Sequence, residues 1–178
     1  MEQQPNLFNR STRWGAWVAV AITVVSAFEG FSGKKYYDSV GVATICYGAT
    51  AADHVDLTKV YTKAQCQTML GNDLPKYDAP LKKCLKPAVY NALPPHRHAA
   101  LVSLAYNVGD AAVCRSSVVR DLNLGRVSQA CNDFLKFDRG GGRVILGLQR
   151  RRIAERKLCL ENDYWTISCN IFSPAPGT

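Results

Sequence analysis

The sequence has no C-x-x-C pair, no two histidines spaced i, i+4, no internal repeat and no low-complexity run. The first absence removes zinc-ribbon and thioredoxin-like readings. His96 and His98, with His54, lack the acidic partner and helical spacing of a metal site, so ordinary hydrogen-bonded or exposed histidines are expected, with no metal and no cofactor. No zinc-finger spacing and no basic region leading into heptads accompanies the Lys and Arg residues, so no nucleic-acid partner is expected. The chain also lacks an uninterrupted apolar run of membrane-spanning length; residues 14–28, WGAWVAVAITVVSAF, come nearest.

What is present suits one globular domain with a proper core: 178 residues, 47% of them hydrophobic and 20% charged. The net charge of +8 asks for an anionic partner such as an acidic cell wall. Lys136, Arg139, Arg143, Arg150, Arg151, Arg152, Arg156 and Lys157 crowd the last third. Arg150 to Arg152 are expected on a helix face that packs on the domain and touches the wall. Seven cysteines (46, 66, 84, 114, 131, 159 and 169) behind an export-like N-terminus predict disulfides, with an odd thiol over and the pairing open. Cys46 and Cys66 read as half-cystines, since no Cys-His pattern supports a nucleophile.

Residues 14–28 carry no charge and follow Arg10 and Arg13, which favours a cytoplasmic N-terminus. As a helix they span roughly 22 Å against a hydrocarbon core of about 30 Å. Three readings compete: a buried core helix, a signal peptide cleaved after Val25-Ser26-Ala27, and an uncleaved, marginal membrane helix able to leave the bilayer. The third is preferred. Cleavage would strand Glu29 at a frayed terminus, and marginal apolarity lowers the cost of extraction.

Downstream, Tyr36–Tyr47 predicts a β-hairpin turning near Ser39–Gly41. Thr62-Lys63-Ala64-Gln65 opens a helix toward Leu74, interrupted by Pro75. Pro94-Pro95 starts another, ending at Asn107–Gly109. Ser116 caps a helix carrying Val118, Val119 and Leu122, with Gly125 beyond it. Ser128–Phe137 reads as helical, Gly140–Gly142 as a flexible loop, and Ile145–Leu160 as a last amphipathic helix with Leu148, Ile153 and Leu158 apolar. The fold class is α+β, predominantly α.

Glu29, Asp38 and Thr44 follow the apolar segment, with eight residues between the acids and five between Asp38 and Thr44. Two carboxyls and a hydroxyl can cleave a glycosidic bond: one acid protonates the leaving oxygen, and the other holds a water that the hydroxyl aims. Taken alone, the trio more often describes a surface Glu, a turn Asp and a strand Thr.

The trio with DSVGVATICYG (38–48), YTKAQC (61–66), ALVSLAYNVG (100–109), LNLGRVSQAC (122–131) and GGGRVILGLQRRR (140–152) resembles the T4-type phage lysozyme family, in particular its signal-arrest-release endolysin branch. The resemblance covers most of residues 29–160. It implies a lysozyme-like fold with a small β-hairpin lobe and a helical lobe, preceded by a signal-anchor helix. It implies a muramidase cleaving the β-1,4 bond between N-acetylmuramic acid and N-acetylglucosamine, with Glu29 as general acid, Asp38 ionised beside the sugar and Thr44 orienting the water. The expected segments are an anchor at 1–28, a catalytic domain at 29–165 and a tail at 166–178. The implied partners are peptidoglycan strands and, before release, the host inner membrane through residues 14–28, with later release to the periplasm as a monomer. Two forms of restraint stay open: topology, and thiol control through Cys46. Phe137 stands where relatives carry a tryptophan, and the residues after Cys159 have no counterpart. The rivals are a non-enzymatic wall-binding protein and a different glycan enzyme, a chitinase or lytic transglycosylase.

Overall fold

The computed structural model describes residues 15–38 and 41–161. The tail at 166–178, Cys169 and most of the predicted turn at Ser39–Gly41 lie outside these residues. The chain runs α1 (Ala16–Phe28), β1 (Ser32–Tyr37), β2 (Ala43–Cys46) and β3 (Ala49–Thr50). Then follow α2 (Lys63–Asp73), α3 (Pro75–Cys84), α4 (Pro87–Asn91), α5 (Pro95–Val108), α6 (Asp110–Cys114), α7 (Ser117–Asn123) and α8 (Val127–Asp133). The hairpin β4 (Arg139–Gly140) and β5 (Arg143–Val144) leads into α9 (Leu146–Leu160). The result is a mostly helical protein with two small antiparallel sheets.

The centre is α5. Pro95 supplies its first turn at no hydrogen-bond cost, and residues 98–105 are all buried. α1, α3, α6 and α9 pack around it. α1 presents Val18, Ala21 and Val25 to this core. Trp17 stacks on His98 at 4.5 Å between ring centroids. His98 in turn meets Asp78 at 2.6 Å, and the same carboxylate accepts from Tyr90 at 2.7 Å. The segment expected to stand apart before residue 29 is therefore packed on the helical core. Among the described residues no helix is long and apolar enough to cross a membrane.

The first sheet has order β1-β2-β3, with Tyr36 opposite Thr44 and Tyr37 opposite Ala43. Its far end is held close to the loop before α2. Tyr61 donates to the Gly33 carbonyl at 2.8 Å, and a Cβ at Gly33 would come within 2.3 Å of the Tyr61 oxygen. Only glycine fits that approach. Thr62 and Gln65 form the anticipated capping box. Three disulfides among the described residues tie neighbouring elements: Cys46–Cys66 joins β2 to α2, Cys84–Cys114 joins α3 to α6, and Cys131–Cys159 joins α8 to α9. Loops of 20 to 30 residues closed this way each remove about 3 kcal/mol of unfolded-chain entropy.

Several local expectations change. Pro75 interrupts α2 as expected, but it also starts α3 at once, because Leu74 keeps a helical backbone. Ser128–Phe137 divides into α8 and a 3-10 turn, Phe134–Phe137. Gly141 and Gly142 form the tip of the β4–β5 hairpin. In α9 the expected apolar positions are not the deepest: Ile153 is exposed and Leu148 and Leu158 are half-buried, while Arg151 and Arg152 pack fully inside the domain, as expected of that face. Their charges find counter-charges inside the protein, and this outweighs the apolar pattern that the helix alone displays.

Candidate active site

Glu29 terminates α1. Its backbone N–H closes the helix on the Val25 carbonyl at 2.9 Å, and the chain then turns extended toward β1. The side chain leans the other way, across to α9, where Arg151 Nη1 donates to Oε1 at 2.6 Å. Phe28 lies on the same guanidinium, with its ring centre 5.7 Å away. Glu29 keeps 28% side-chain exposure while Arg151 keeps 4%, so the pair marks a boundary between core and solvent.

Asp38 follows β1 and organises the turn to β2. Its Oδ1 accepts from the Val42 N–H at 2.8 Å, and its backbone N–H donates to the Val42 carbonyl at 3.0 Å. Asx side chains favour such turns because they replace a backbone acceptor. Thr44 sits on β2, 3% exposed, and its hydroxyl donates to the Val42 carbonyl at 2.9 Å. The hydroxyl proton is thus committed to the backbone.

A residue not foreseen from sequence lies beside Thr44 and within electrostatic range of both acids. Tyr36 is the direct strand partner of Thr44. Burial, and then the negative charges of Glu29 and Asp38, push its phenol above the ordinary tyrosine range. Both carboxylates therefore act on one phenol beside Thr44. Tyr106 on α5 has its phenol pushed up in the same way, by burial first and then by Glu29. Its hydroxyl donates to the Tyr47 carbonyl, joining helix to sheet. A pocket lined by Cys46, Tyr47, Asp53, Met69, Asp73 and Tyr106 lies between sheet and α2; Glu29, Asp38 and Thr44 are not among its walls.

Behind Glu29 is a charge network that the sequence reading did not anticipate. Arg151 Nε donates to Glu155 Oε1 at 3.0 Å, and Ser103 Oγ donates to the same oxygen at 2.6 Å. Arg152 Nη2 reaches that oxygen at 3.1 Å, and its Nε lies 2.8 Å from Oε2. Glu155 and Arg152 are both fully buried. The spacing R-R-x-x-E, which puts Arg151 and Arg152 four and three residues before Glu155, was the available signal.

Comparison with known proteins fixes the lineage. A model of the family described as phage lysozyme matches residues 26–155. This chain belongs to the phage lysozyme family. It is 35% identical over 152 residues to the SAR-endolysin of Enterobacteria phage P21, covering 82% of this chain and 89% of that protein. It is 33% identical to the SAR-endolysin of Pseudomonas phage phiKMV, covering 83% and 90%. Among solved structures, a single-residue mutant of P22 lysozyme superposes with a TM-score of 0.71 at 30% identity, over 80% of this chain and 97% of that one. The active form of the P1 phage endolysin Lyz shares the fold, with a TM-score of 0.65 at 22% identity, over 80% and 93%. The match begins inside α1, so the end of that helix and Glu29 belong to the phage lysozyme unit.

Proposed function

We propose that this phage lysozyme is an endolysin that hydrolyses the β-1,4 bond between N-acetylmuramic acid and N-acetylglucosamine in peptidoglycan. The reading is supported by the phage lysozyme match over residues 26–155, which includes Glu29, Asp38 and Thr44, and by Tyr36, which pairs with Thr44 and lies within electrostatic range of both acids. Glu29, presented at a half-open edge, donates its proton to the glycosidic oxygen. Asp38 stays ionised, stabilises positive charge on the sugar ring and holds the attacking water. Thr44 offers its remaining acceptor to that water. The surplus positive charge draws the enzyme to an acidic wall. Product mass tests the reaction class. Purified murein should release fragments whose muramic ends carry an added water, and Asp38→Ala should slow their release by about 10²-fold or more. Anhydro-muramic products would reassign the chain as a transglycosylase.

Residues 14–28 are proposed as a releasable anchor, with the N-terminus cytoplasmic and the catalytic part on the periplasmic face of the host inner membrane. The name of the phage P21 relative, SAR-endolysin, supports this. So does the economy of α1: Val18, Ala21 and Val25, which fill the core, are also the residues a bilayer would take up. Thirteen helical residues reach only about 20 Å, which makes membrane residence marginal. The helix can occupy one environment at a time, so anchoring withholds it from α5. The released enzyme is read as a monomer. An intact N-terminal mass in both the membrane and the soluble fraction is expected; a soluble form beginning at Phe28 would remove the anchor and leave the hydrolase reading standing.

A further inference from the structure

Glu155 is buried at 0% exposure, has no route to a substrate, and is not used by the proposed reaction. Such a group costs free energy unless its charge is matched, and breaking the match on one side is worse than never having it. Its surroundings match it from two elements. From α9 come Arg151 at 3.0 Å and Arg152 at 2.8 Å; from α5 comes Ser103 at 2.6 Å. Arg151 is shared: the face of its guanidinium that does not meet Glu155 meets Glu29 at 2.6 Å. Arg151 Nη2 also donates to the Ser103 carbonyl at 3.3 Å, which pins the fork to α5.

We infer that Glu155 is a positioning residue for Glu29, holding Arg151 against α5 and cancelling one of the two arginine charges that α9 places behind the Glu29 carboxyl. A carboxyl that must protonate a sugar oxygen is poorly served by two unopposed guanidinium groups, since both favour its ionised form. With Glu155 present, the network behind Glu29 carries a single surplus positive charge. That charge orients the carboxyl through one short hydrogen bond. The charge of Glu29 also reaches Arg152, so the second arginine lies within electrostatic range as well. Burial pushes Glu155 itself upward, while Arg152, Ser103 and Arg151 act to keep it ionised. Within electrostatic range of Glu29 on the other elements are Tyr36 on β1, Tyr77 on α3 and Tyr106 on α5, all with raised phenols that stay neutral through the working range. The arginines and Glu155 are therefore the charges that vary the balance from this side.

The inference rests on Glu29 as the proton donor, and its test separates the two ideas. In the full chain, the pH at which Glu29 loses its proton is followed by carboxyl carbon NMR, and the alkaline limb of murein clearing is measured in parallel. At an effective dielectric near 20, a unit charge roughly 5–10 Å from a carboxyl moves its midpoint by about one to two pH units. Glu155→Gln should move both readouts down by that amount. Arg152→Met should move both up. The double variant, which restores the charge balance without the tether, should return near the parent. Should one single variant fail to fold, the other measures the same coupling with opposite sign. No movement in a folded single variant, or movement of both in the same direction, overturns the inference. An NMR shift of the expected sign with an unmoved activity limb would support the charge coupling and remove Glu29 from the donor role.

Discussion

Glu29→Gln should leave a folded protein that clears purified murein about a thousandfold more slowly than the parent. Glutamine has nearly the same shape and still offers Arg151 an acceptor, so α1 and its end geometry persist. It has no proton to give at the moment the glycosidic bond breaks, and positioned proton transfer is worth about 10² to 10⁴ in rate. The structural cost falls on Arg151, which is 4% exposed and keeps Glu155 and Ser103 as partners. A melting temperature within a few degrees of the parent is therefore expected, measured beside initial rates of turbidity loss. The non-enzymatic rival makes the opposite forecast: a basic wall-binding protein loses nothing when one half-exposed carboxyl becomes an amide. A folded Glu29→Gln protein with parental clearing would end the hydrolase reading based on this residue.

A chain shortened to begin at Glu29 should show no cooperative thermal transition and no clearing. Cleavage after Ala27 would leave a product one residue longer, beginning at Phe28. The structure gives a reason to expect failure. Val18 and Val25 are buried to 1% and 0%, and each contributes about 1.5–3 kcal/mol on burial. Without Trp17, His98 is left unstacked, and the face of α5 beneath α1 becomes wet. Against a typical margin of about 5–15 kcal/mol for a domain, the sum takes most or all of the stability. Glu29 would also lose the helix that aims it. The measurement is a melt of the purified short chain beside the full one; a sharp transition with retained activity would show that α1 is dispensable and reopen the cleaved-peptide reading.

The two forecasts meet at α1. As a membrane segment it is too short and too diluted by Thr23, Ser26 and alanines to be held strongly. As a core helix it is adequate, because a helix needs only one apolar stripe to pack. The same composition is weak in one setting and sufficient in the other, and that contrast is the physical basis for expecting a releasable anchor.

Much of the local structure could be read directly. Thr62 with Gln65, Ser116 and Pro95 mark helix starts through hydrogen bonds and dihedrals set within a few residues, and all three do so in the folded chain. The Tyr, Thr and Ile residues of Tyr36–Tyr47 marked the β1–β2 pairing, but β1 begins earlier, at Ser32, in a Gly- and Lys-containing run that composition does not mark as strand. Ser128–Phe137 is helical as read, but its last turn tightens into a 3-10 form, a difference of one hydrogen-bond register that composition does not encode. Tyr36 escaped notice because strand register decides which tyrosine of the 36–37 pair stands beside Thr44.

Sequence by itself determined the class of the molecule. The order of helices and strands, the spacing of Glu29, Asp38 and Thr44, and the charge-free segment ahead of them are properties of neighbours along the chain. Tertiary structure decided what α9 is for. The sequence placed Arg150 to Arg152 on a face that packs on the domain, but it could not name the partners that a buried charge requires. Arg151 lies inside, since Glu29, 122 positions earlier, and Ser103, 48 positions earlier, arrive to receive it. Burial of a charge depends on partners that only the folded chain brings together.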